Sequence, residues 1–187
     1  MQADFDVNNR FNENSDFKYK SGSTYSHGTG PEYDNTIGTG GEGHYFYFES
    51  SIPAPIGSTI MDSPLILMDE ASDPNSCSIQ FYLHGRGNPN HLQNFEVEYV
   101  DCRNLQQSTE LATFSAKDPD SVFPSDDWQY KSVTLPPGLT GNIRFRFRVE
   151  KIKYQHWNGD WAFDDVSFSA GCFPPSASST TSPSQSS

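Results

Sequence analysis

Three groups of acidic side chains have the chemistry to hold a hard cation: Asp4 and Asp6 near the start of the chain, Asp34 in a glycine-rich stretch, and the adjacent pair Asp164 and Asp165. Calcium takes several oxygen ligands at once. The first and last strands of an antiparallel sandwich run side by side, so Asp6, Asp34, Asp164 and Asp165 are the expected ligands of a structural calcium ion. Turn capping accounts for the same aspartates without a metal, because a short carboxylate readily accepts from nearby backbone amides. No EF-hand spacing is present.

A second group is aromatic. Tyr154, His156 and Trp157 fall in the segment Lys151 to Asp160, which is rich in polar and aromatic residues. Such a loop serves as a stacking platform for sugar rings or as the anchor of a protein contact, where Trp, Tyr and Arg concentrate. It reads equally as a packed hairpin tip. These three residues are the expected binding site, since loops carry function on rigid scaffolds.

Catalysis finds little support. Two carboxylates flanking a glycosidic bond must face one cleft, whereas neighbours on a strand, such as Asp164 and Asp165, point to opposite faces. No GxSxG nucleophile motif occurs. The five histidines do not cluster, and His44 and His84 lie inside alternating segments where packing is the ordinary role of a histidine. The expectation is a chain that is not an enzyme.

The three cysteines are Cys77, Cys102 and Cys172. An odd count in a secreted domain leaves one bridge and one remaining thiol, or a partner in another chain. Cys77 with Cys172 is the favoured pair, because each sits where a strand begins or ends and the bridge would fasten the C-terminal strand. Three buried thiols in a reducing compartment remain the alternative, and no Cys/His spacing suggests zinc.

The elements that must position these groups read as strands. The 187 residues suit one domain. Aromatics make up 14% of the chain, with 14 glycines and 13 prolines, a mixture that favours many short strands joined by turns. Alternation runs through 43–49, 63–67, 77–84, 95–100, 128–135, 143–149 and 161–168. Cys77, Ile79, Phe81 and Leu83 share one face, and Gly85 to Gly87 reads as the turn that ends their strand. Phe95, Val97 and Tyr99 face inward with glutamates outward. No segment sustains a 3.6-residue period; 104–114, the one low-glycine stretch, is short and polar. The expected fold is all-β, an antiparallel jelly-roll β-sandwich of two packed sheets. It covers residues 1–172, with 173–187 a Ser/Thr/Pro-rich disordered linker or glycosylated stalk.

The net charge of −12 opposes a phosphate backbone. Arg144, Arg146 and Arg148 alternate with Phe145, Phe147 and Val149, the pattern of a strand with one wet face, so no nucleic-acid partner is expected. No apolar run is long enough to span a bilayer. The N-terminus lacks a basic region followed by an apolar run, so a secretion signal is expected upstream or the sequence is an excised fragment.

Several runs, taken together, resemble a known pattern. Gly28-Thr29-Gly30-Pro31, Asp34-Asn35-Thr36 and the segment from Gly43 to Glu49 are similar to the GTGP, DHT and GHYLYFE motifs of MAM domains. Ser63-Pro64-Leu65, Cys77 through His84, Trp128 before Val133 to Pro136, and Gly159 through Phe168 before Cys172 follow in the family's order. Each motif is weak alone, but their number and spacing are specific. The resemblance implies an extracellular, non-catalytic module acting in adhesion, receptor dimerisation or protein interaction within a larger secreted or membrane protein, with protein partners or self-association. It supports the Cys77–Cys172 pair and leaves Cys102 unpaired or intermolecular. It also implies an ion in some members. The chain departs from the pattern where Ala3 replaces the opening cysteine and a CGW-like turn is absent. Tyr19, where tryptophan is usual, is expected to fill the core. A glycan-binding module of the jelly-roll lectin type is the alternative function.

Overall fold

The structure is a computed structural model of the 187-residue chain and describes residues 17–50, 57–68, 75–103, 107–151 and 158–173. Within them lie ten strands: β1 (Phe17–Lys20), β2 (Tyr45–Phe48), β3 (Gly57–Asp62), β4 (Ile66–Met68), β5 (Ser78–Gly87), β6 (Phe95–Asp101), β7 (Ser108–Phe114), β8 (Gln129–Thr134), β9 (Gly141–Lys151) and β10 (Gly159–Phe168). A single 3₁₀ turn, Ala170–Cys172, follows. All pairings are antiparallel. Sheet 1 has the order β1-β2-β10-β5-β8, and sheet 2 the order β3-β9-β6-β7 with β4 also on β9. The fold is the expected all-β sandwich of two packed antiparallel sheets.

The period-2 rule puts alternate residues of each strand between the sheets. Ile79, Phe81 and Leu83 of β5 are fully buried, and so are Phe145 and Val149 of β9 and Phe95 and Val97 of β6. Rings dominate the interface: Phe147 stacks on Phe163 across the two sheets at 4.3 Å, and Phe81 meets Phe147 edge-on at 5.8 Å. Each such ring removes a large apolar surface from water, and aromatic pairs add about 0.5–1.5 kcal/mol beyond area burial.

On the wet face of sheet 2 the three arginines of β9 stand in a row and find acceptors. Arg146 forks onto Asp62 at 2.7 and 2.9 Å. Arg148 reaches Glu96 at 2.8 Å, and Arg144 donates to the Ser63 carbonyl at 2.7 Å. This is a solvated strand face with cross-strand ion pairs, as the alternation predicts.

Four expectations need correction. β5 does not end at His84 but runs on to Gly87, because Gly85 leaves room for the Trp161 ring of β10. A Cβ there would sit 2.3 Å from the ring, so the glycine is a packing residue and not a turn signal. Residues 63–65 are a connector, and the expected strand divides into β3 before it and β4 after it. The polar stretch near 108–114 is the edge strand β7, half-exposed and therefore without a clear inward stripe. Tyr19 is 48% exposed and lies flat on His44 at 4.6 Å, so it covers an edge of sheet 1 and does not fill the core.

Cys77 and Cys172 are joined by a disulfide, with Cα atoms 4.4 Å apart. Cys77 precedes β5 and Cys172 follows β10, its hydrogen-bonded neighbour, so the bridge ties two adjacent strand ends of one sheet. Cys102 is a half-buried free thiol in the turn after β6. Phe173, assigned from sequence to the tail, packs edge-on against Phe168 at 6.5 Å; residues 174–187 lie outside the described residues.

Candidate functional site

Over β2 and β10 the outer face of sheet 1 is covered, whereas at β8 it is open, with Tyr130 exposed. Residues 21–44, which carry the GTGP and DNT runs, lie across it as a strap, and the outward side chains of β2 and β10 hold that strap down. Tyr45, Tyr47 and Ala162 are buried beneath it with Trp128 packed alongside. Tyr45 Oη donates to the Gly22 carbonyl at 2.5 Å, and Trp128 Nε1 donates to the Tyr33 carbonyl at 3.0 Å. Both faces of β2 are thus covered, which is why all four of its residues are aromatic.

Carboxylates anchor the strap at three points. Asp160 is fully buried; it accepts from Thr29 Oγ1 at 2.6 Å and from the Ser50 amide at 2.9 Å. Glu49 accepts from Ser26 Oγ at 3.1 Å. Asp164 accepts from the Asn35 amide at 2.9 Å and from the Asp165 amide at 2.8 Å. Burial pushes the Asp160 carboxyl up to about 6, offset in part by Thr29 and Ser50 and reinforced by Glu49. Burial likewise pushes Asp164 up to about 6, with the Asn35 amide opposing it and Asp165 and Asp34 adding to it.

Asp34, Asp164 and Asp165 do come together. Asp34 is buried, and its Oδ1 accepts from the Ile37 amide at 2.7 Å. Asp165 accepts from Asn35 Nδ2 at 2.8 Å and from Thr36 Oγ1. Gly43 is required beside them, since a Cβ at that position would overlap the Asp34 carboxylate. The opposite-faces rule fails for Asp164 and Asp165. The register with β5 shifts between Asp164 and Ser167, and Asp165 adopts φ 52°, so both side chains reach the same turn. Aspartate is among the residues that tolerate this left-handed conformation. Asp6, the fourth expected ligand, and Asp4 lie outside the described residues. Among the described residues no group of three or more His, Cys, Asp or Glu is arranged to hold a metal ion.

Tyr154, His156 and Trp157 also lie outside the described residues. His84 is buried on the outer face of β5, its ring 5.3 Å from Trp128. The residues that sequence reasoning left without a role are Thr29, Glu49 and Asp160. All three sit inside runs that carried the family resemblance, and an aspartate between Gly159 and Trp161 in a buried strand was the available signal.

A family model described as MAM domain, meprin/A5/mu matches residues 5–173. The chain belongs to the MAM family. The strap over sheet 1 and the bridged end of the sandwich are therefore features of a MAM domain. Solved structures with a similar arrangement include TmCBM61 in complex with beta-1,4-galactotriose, 12% identical with a TM-score of 0.47, covering 86% of this chain and 85% of that one. A cleaved adhesin domain of Lys-gingipain from Porphyromonas gingivalis is 17% identical with a TM-score of 0.47, covering 91% and 97%. A carbohydrate binding module of family 29 is 12% identical with a TM-score of 0.41, covering 83% and 93%. No helix among the described residues is long and apolar enough to cross a membrane.

Proposed function

We propose that this MAM domain is an extracellular, non-catalytic recognition module that contacts protein partners, or a second copy of itself, within a larger secreted or membrane protein. The observation that carries this reading is the family match over residues 5–173. The Cys77–Cys172 bridge supports an oxidising compartment. Analytical ultracentrifugation and aggregation of domain-coated beads test it: self-association, or saturable binding to an array of ectodomains, is expected. A strictly monomeric domain that binds no ectodomain overturns it.

Glycan binding is the second reading, favoured by Tyr130, which is 51% exposed on β8 and packs edge-on against Tyr82 at 5.6 Å. Exposed aromatic rings stack on sugar faces. Loss of a glycan-array signal in Tyr130→Ala or Trp157→Ala would favour it; loss of self-association instead would favour the first reading.

A structural calcium ion at Asp34, Asp164 and Asp165 completes the proposal, with Asp6 as the ligand on which it turns. Its support is the convergence of the three carboxylates on the turn 34–37, with no lysine or arginine of the described residues in an ion pair with any of the three. Calcium should raise the melting temperature. An identical midpoint in calcium and in chelator rejects the ion.

A further inference from the structure

We propose that the hollow between Trp128 and the Asp126–Asp127 turn, on the outer side of sheet 1, receives a lysine or arginine side chain of a partner protein. The proposal rests on the recognition-module reading and names the chemistry of one contact. The hollow is about 250 Å³, the size for one long side chain and below the usual range of small-molecule pockets. Glu32 and Tyr33 of the strap form one wall, Asp126, Asp127 and Trp128 the other, and His84 of β5 contributes to the lining between them.

Charge selects the occupant. Arg86 is the guanidinium of this hollow, with Nε 2.7 Å from Asp126 and Nη1 3.5 Å from Glu32. It offsets one of three carboxylates, and Asp127 pairs with no cation of the described residues. Burial holds the His84 ring far below the usual histidine range, at about 4, so it adds no positive charge at neutral pH. An anionic ligand is repelled and a cation attracted, in a chain whose net charge is already −12.

Hydrogen bonding points the same way, because the carboxylates of Glu32, Asp126 and Asp127 that line the hollow accept and do not donate. Ammonium and guanidinium groups bring several N–H donors and no acceptor. Trp128 also lines the hollow, its indole held by the bond to the Tyr33 carbonyl, and a cation against an indole ring is a favourable pairing.

The test is a nitrogen-15 NMR titration of the whole chain with N-acetylarginine amide and N-acetyllysine amide, following the Trp128 indole N–H. A saturable shift is expected from either probe and none from N-acetylglutamine amide. The double variant Glu32→Gln with Asp127→Asn should weaken binding at least tenfold. Asp118→Asn with Asp120→Asn removes the same charge from another loop and should leave binding within twofold. A non-saturable shift, or equal losses in both double variants, overturns the proposal. Partner binding that persists in Glu32→Gln with Asp127→Asn removes the hollow and leaves the recognition reading standing; a chain that binds the probes but no protein does the reverse.

Discussion

Thr29 and Asp160, 131 residues apart in sequence, share a buried hydrogen bond of 2.6 Å that fixes the strap to the central strand of sheet 1. Thr29→Val keeps the shape and removes the donor, leaving a buried carboxylate with fewer partners. A loss of about 1–3 kcal/mol is expected in urea unfolding. Thr29→Ser should restore most of it, and a Val variant as stable as the parent would show that the bond does not hold the strap.

The raised carboxyls give a pH dependence with a definite sign. Asp160 in the folded chain keeps its proton up to about 6, whereas in the unfolded chain it loses that proton near the ordinary carboxylate value. Its contribution is therefore full at acid pH and is lost as pH rises through 6. Asp164 acts in the same direction. His84, pushed down to about 4, acts in the opposite one, because the unfolded ring takes up a proton first as pH falls. The clean measurement is a difference. Between pH 7.5 and 5 the parent should gain about 1 kcal/mol relative to Asp160→Asn, and parallel curves for the two would reject the burial argument.

Removing the bridge frees an unfolded loop spanning 95 residues. Cys172→Ser should cost about 2–5 kcal/mol in oxidising buffer. Its melting temperature should match that of the reduced parent and should not respond to dithiothreitol. A peptide map that finds Cys77 bridged to Cys102 would contradict the structure.

Gly85→Ala inserts a methyl group against the face of Trp161, whose Nε1 is already held by the Gln93 carbonyl at 2.5 Å. Both strands cannot yield without losing their ladder. Overpacking of this kind costs about 1–3 kcal/mol or more, and the emission of Trp161 should shift to the red as its packing loosens.

Sequence pattern made the inward faces of β5, β6 and β9 legible, because one side of each meets the core and alternation follows directly from the pleat. It failed wherever a second layer intervenes. β2 is covered on both sides, so its run of aromatics says strand without saying what lies above it. β7 is covered on neither side well enough to show a stripe. The aspartates of β10 were legible as a convergent group and as acceptors of backbone amides, and Asp164 does accept two such amides; which segment they would hold was not legible. That depends on the register shift after Asp164 and on a strap whose backbone supplies the donors. Tyr19 was misplaced because aromatic type alone does not separate a core filler from an edge cover.

β10 is the last strand in sequence among the described residues, yet it lies between β2 and β5, in the middle of its sheet. While the chain emerges from a ribosome, the segments that will flank it are left as two raw edges with nothing to join them. They present unpaired amides and carbonyls, the state most prone to pairing with a stranger. Assembly of this half of the sandwich must wait for residues 159–168 to slot into the gap, and a nascent chain stalled before them is a natural client for a chaperone.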